Sequence, residues 1–112
     1  MPLKELKVAK ISELTELFKA LSDINRVRII ALIAREGSVC VCELCDTLGL
    51  SQPLVSRHLK QLKDTGILVS HKEGKWAIYT LNTNADTFLK CVIDEIDRAE
   101  ATLPPLCACE RC

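Results

Sequence analysis

Long apolar runs are missing from this 112-residue chain, and none approaches the roughly 20 residues that a membrane-spanning helix needs. The N-terminal stretch breaks its apolar positions with Lys4, Glu5, Lys7 and Lys10, unlike a secretory leader, so a cytoplasmic location is expected. Aromatic residues are scarce, four in all, which leaves the core to Leu, Ile, Val and Ala and favours a small, mainly helical protein. Net charge is also absent at neutral pH, which excludes a protein that coats nucleic acid through bulk positive charge. No glycine-rich phosphate loop, no histidine beside a candidate nucleophile and no apolar-embedded carboxylate pair is present, so an enzyme is not expected.

Cysteine is abundant instead. Seven are present, an odd number, in the tight runs Cys40-Val41-Cys42-Glu43-Leu44-Cys45 and Cys107-Ala108-Cys109-Glu110-Arg111-Cys112. In a reducing compartment such spacing points to thiol chemistry rather than to a disulfide framework. Cys91 stands alone and reads as a small buried hydrophobe of the last helix.

Apolar spacing predicts an amphipathic helix over Ile11 to Leu21 and a second, capped by Ser22 or Asp23, that is apolar nearly all round through Val27 to Ile33. A short helix, Val41 to Leu48, ends at Gly49. Ser51 then caps a helix that carries Pro53 in its first turn and stops at Gly66. The segments Ile67 to His71 and Trp76 to Leu81 read as a hairpin turning on Gly74, and a final helix spans about Ala85 to Ala101. The expected fold is mainly α with a small β-hairpin. Residues 1–103 form one domain, and 104–112 a flexible cysteine-rich tail.

A short helix, a tight turn and a longer helix with a polar, basic free face is the helix-turn-helix pattern, whose second helix enters the major groove of DNA. Gln52, Ser56 and Arg57 are placed to meet base edges, with His58 as a weaker candidate on the apolar side of the helix. Lys60, Lys63, Lys72 and Lys75 suit phosphates, and the hairpin becomes a wing. The neutral total hides this basic stretch, Ser56 to Lys75, and an acidic helix that follows it.

Three sulfurs without a nearby histidine or carboxylate ligand favour a three-coordinate thiophilic ion over tetrahedral zinc. With about 100° of turn per residue, Cys42 and Cys45 project close together on a regular helix and Cys40 points away, so binding requires a bend at the helix start.

The Cys40 to Cys45 run, Ser51-Gln52-Pro53-Leu54-Val55-Ser56-Arg57-His58-Leu59, Gly74-Lys75-Trp76 and Tyr79 together resemble the arsenical-resistance repressors of the ArsR/SmtB family. The resemblance covers about residues 11–100. It implies a homodimeric winged helix-turn-helix repressor, paired through its first and last helices on an inverted-repeat operator. It further implies As(III) or Sb(III) as the inducer at Cys40, Cys42 and Cys45, with no organic cofactor and no membrane partner. It does not extend to Cys107, Cys109 and Cys112, a candidate second ion site. Two competing readings are a redox-sensing thiol repressor of the same fold and a thiol-rich metal buffer or carrier that does not act on DNA.

Overall fold

The computed structural model describes residues 11–82, 87–99 and 104–106. In chain order the elements are α1 (Ile11–Leu21), α2 (Ile24–Glu36), β1 (Ser38–Cys40), α3 (Val41–Leu48), α4 (Gln52–Asp64), β2 (Leu68–Glu73), β3 (Trp76–Leu81) and α5 (Thr87–Ala99).

Helix α2 is the centre of the core, as its apolar circumference requires: Ile29, Ile30, Leu32 and Ile33 are wholly shielded from water. At about 1.5–3 kcal/mol for each such side chain, this helix is a main source of stability. Asp23 starts it by accepting from the backbone N–H of Asn25 at 2.8 Å and of Arg26 at 3.3 Å. Burial raises the pKa of that carboxyl, but the two N–H donors, His58 and Arg26 outweigh burial and hold it below its ordinary value. Gly37, at φ +89°, ends the helix by donating its N–H to the Ile33 carbonyl.

The sheet holds one strand more than the hairpin expected. Its antiparallel order is β1-β3-β2, and the three residues of β1 pair as Ser38↔Thr80, Val39↔Tyr79 and Cys40↔Ile78. Val39 and Ile78 are buried beneath it. The hairpin β2–β3 is in the expected place, with Lys72 opposite Ala77 and Gly74 in its turn.

Helices α1 and α5 leave an apolar face uncovered within the protomer. Ile11 is 85% exposed and Phe18 53%, and the Phe18 and Phe88 rings meet edge to face with centroids 6.2 Å apart. Cys91 is exposed on α5 rather than buried, because only Leu89 of that helix reaches the core fully. The start of the tail is docked: Arg35 Nη2 donates to the Pro104 carbonyl at 2.7 Å, and Leu106 is half-buried against the core. Cys107, Cys109 and Cys112 lie outside the described residues.

Candidate nucleic-acid interface and thiol site

Helix α3, the turn and α4 form the helix-turn-helix. Gly49 adopts the left-handed conformation, and the Cys45 carbonyl accepts both the Gly49 N–H at 2.8 Å and the Leu50 N–H at 3.2 Å, so Cys45 anchors the turn. Ser51 caps α4 by accepting from the Leu54 N–H. Val55, Leu59 and Leu62 then face the core, while Gln52, Ser56, Arg57, Lys60 and Lys63 are exposed together on the opposite side. Lys72 and Lys75 are exposed on the wing. Lys60 pairs with Asp64 at 3.0 Å, an exposed contact that phosphate can displace at little cost.

His58 separates from that set. It is buried, and its Nδ1 lies 3.2 Å from Arg26 Nη1. An arginine only donates, so Nδ1 accepts and the ring is neutral. Burial lowers the pKa of His58 first; Asp23 opposes this, and Arg26 and Arg57 add to it. Arg26 was not marked by any motif, yet it joins α1 to the reading helix: Nε donates to the Ala20 carbonyl at 2.6 Å, Nη2 to the Lys19 carbonyl at 3.1 Å and Nη1 to Gln61 Oε1 at 2.6 Å.

Among the cysteines, the pair brought together is not the one helical periodicity selects. Cys40 is the N-cap of α3, with extended backbone at φ −106° and ψ 169°, so it lies outside the helix that was expected to turn it away. Its Sγ sits 3.4 Å from Cys42 Sγ. Two thiolates on one ion lie on the order of 4 Å apart, judged from bonds near 2.3 Å, a separation close to that of these two sulfurs, of which Cys42 is disulfide-bonded. Cys45 does not complete a triad, for among the described residues no three His, Cys, Asp or Glu side chains are gathered closely enough to hold a metal ion.

Glu43 fixes this geometry. Its buried carboxylate accepts the Cys40 N–H at 2.8 Å in a capping box, a pattern readable in the sequence as an acid three residues after the cap. Burial pushes the Cys40 thiol pKa up and the Glu43 charge adds to it; burial and then Asp46 raise that of Cys45. Both are neutral thiols at pH 7. Cys42 is disulfide-bonded. A cleft of about 590 Å³ joins the three cysteines to Gln52 of the reading helix and to Lys75 and Trp76 of the wing.

The sequence profile of the bacterial regulatory protein, arsR family, matches residues 23–70, which run from the α2 cap through the reading helix into the wing. The arsenical resistance operon repressor of Escherichia coli is 42% identical over 76% of this chain and 73% of its own length. The chain belongs to the ArsR family. ArsR proteins are regulators rather than enzymes, in keeping with the absence of catalytic motifs. The arsenic resistance regulator ArsR1 of Pseudomonas putida is 49% identical over 69% of the chain, which spans 63% of that relative's length. Among solved structures, the homodimeric winged helix-turn-helix domain of a Mycobacterium bovis regulator superposes with a TM-score of 0.67 over 79% of the chain and 78% of its own, at 22% identity. That likeness confirms the winged helix-turn-helix fold. No helix among the described residues is long and apolar enough to cross a membrane.

Proposed function

We propose that the protein is a homodimeric repressor that holds operator DNA through α4 and the wing and leaves it when As(III) or Sb(III) binds Cys40, Cys42 and Cys45. The observation that carries this reading is the Cys40–Cys42 pair at 3.4 Å, placed in one cleft with Gln52 and Lys75. Arsenic-resistance regulators among the relatives support the choice of ion.

Thiol chemistry favours the same choice. Neutral arsenous acid condenses with three thiols by losing three waters and releases no net proton, whereas a divalent cation must first displace thiol protons. Raised thiol pKa values therefore handicap Cd(II) and Zn(II) more than As(III).

The ion acts by demanding a third sulfur. For Cys45 to join Cys40 and Cys42, α3 must shift at the residue whose carbonyl holds both N–H groups of the turn. Moving it displaces α4 relative to the wing and unmatches the two half-sites of a dimer, a coupling free energy between two separate sites. A coupling of about 3 kcal/mol corresponds to roughly 100-fold weaker DNA binding.

The dimer uses the α1–α5 face, whose exposed Ile11, Phe18 and Phe88 need a cover. The reading is tested by fluorescence anisotropy of the reduced protein on an inverted-repeat fragment from upstream of its gene, titrated with arsenite. Release is expected for the parent and not for Cys40→Ser. Binding that ignores arsenite in the parent refutes it.

A further inference from the structure

We propose that Arg26 is the positioning residue that sets the angle of the reading helix against the dimer, and so fixes the spacing of operator half-sites that the protein accepts. The proposal rests on the proposed dimer through α1 and α5.

Arg26 stands where local rules disfavour it. It is the third residue of α2, in a first turn that holds no acid, and there the aligned peptide dipoles favour negative charge. An acid at this position would complete the capping pattern that Asp23 begins, as Glu43 does in α3. A cation that breaks a local rule answers to contacts made elsewhere.

Those contacts run to both neighbouring helices. Nε and Nη2 donate to the Ala20 and Lys19 carbonyls in the last turn of α1, whose negative dipole end suits a guanidinium. Nη1 donates to Gln61 Oε1 and to His58 Nδ1, both on α4. Beside this bridge the two helices stand apart. A cleft of about 510 Å³ opens between them, with Glu13 and Glu16 on one wall and Gln61 and Asp64 on the other, and the guanidinium reaches both walls.

Val55, Leu59 and Leu62 hold α4 to the core, but apolar contact is non-directional. The planar fork of Arg26 has fixed donor directions and supplies the missing orientation. Its other end rests on α1, which also carries Ile11 and Phe18 of the face assigned to the partner. The angle of α4 is thereby set relative to the dimer and not only to its own protomer.

Half-sites on an inverted repeat lie about one helical turn apart, and each added base pair moves one of them by about 3.4 Å and turns it by roughly 34°. A dimer with a fixed α4 angle tells such operators apart. One whose reading helices tilt freely follows them all.

The experiment compares the parent with Arg26→Lys and Gln61→Ala, neither of which changes net charge or the attraction to phosphate. A single ammonium cannot bridge both helices, and Gln61 is exposed, so alanine there keeps α4 helical. Anisotropy is read, at concentrations where sedimentation shows dimer, on the inverted repeat and on versions lengthened or shortened at the centre by one base pair. The parent is expected to prefer one spacing by about tenfold, the scale of one mismatched base pair. Arg26→Lys is expected to weaken mainly on that spacing, so that the preference shrinks to about threefold or less, and Gln61→Ala to shrink it in the same direction. A merely destabilised protein instead weakens on every spacing by one factor. Equal loss on all spacings, or an unchanged preference in Arg26→Lys, overturns the proposal. Should Arg26→Lys fail to fold or to pair, the ranking of spacings by Gln61→Ala decides. A parent that binds all spacings alike overturns the reading of a dimer on two half-sites, and the proposal with it.

Discussion

Replacing Arg26 by methionine keeps the apolar stem and removes the guanidinium, and the cost can be worked from its contacts. Four are lost: the carbonyls of Lys19 and Ala20, the Gln61 side chain and Nδ1 of His58. Hydrogen bonds to a charged group contribute about 1.5–3 kcal/mol each when shielded, but Lys19 and Gln61 are exposed and water takes over their share. The Ala20 carbonyl and His58 Nδ1 belong to buried residues. Leaving those two unpaired costs about 1–3 kcal/mol each, and partial rehydration puts the total at about 2–3 kcal/mol. For a domain of this size that is a drop in Tm of roughly 10 °C. The assay is urea denaturation of Arg26→Met and parent at equal protomer concentration, since dimerisation adds to apparent stability. A loss under about 0.5 kcal/mol refutes the reasoning. A double-mutant cycle with His58→Asn isolates their contact and is expected to show a coupling of about 1 kcal/mol.

His58 also makes stability depend on pH. Its folded pKa lies below the ordinary 6.5, so the unfolded chain binds the proton more readily. Stability is therefore complete above about pH 6.5 and falls as pH drops through the lowered value; His58→Asn is expected to lack this increment in denaturation measured at steps between pH 7.5 and 5. Phe18→Glu places a charge in the uncovered α1–α5 face, and sedimentation is expected to show monomer with at least tenfold weaker operator binding, an unchanged dimer refuting the assignment of that face. Because Cys40 and Cys45 are neutral thiols, arsenite affinity measured by competition is expected to vary little between pH 6 and 8, while Cd(II) affinity rises steeply with pH as protons are displaced. Parallel pH dependences for the two ions contradict that proton balance.

Much of this protein is legible along the chain because its helices carry local signals. Asp23, Gly49, Ser51 and Pro53 each act within a few residues, and the periodic apolar stripes set which face of α4 stays exposed. Strand β1 escaped because three residues are too few to show alternation, and its pairing partner Tyr79 is forty residues away. Without that strand, a regular helical turn points Cys40 away from Cys42, and the approach of their sulfurs is not foreseen. Arg26 and His58 meet across thirty-two residues, and a half-buried arginine-to-histidine contact leaves no periodic trace. The nearness of Trp76 to the cysteines follows from the same unforeseen sheet.

Cys40 is at once the last residue of a strand and the first support of a helix. Along the strand it is registered to Ile78, two residues from the wing tip at Trp76; along the helix it leads to the turn before α4. The strand at the edge of the sheet and the helix that leads to the turn thus meet at one residue, while α4 joins the wing again through the short link to β2. Under the proposed function, an inducer that spans only a few ångströms would pull at that point on the edge of the sheet and on the approach to α4 together.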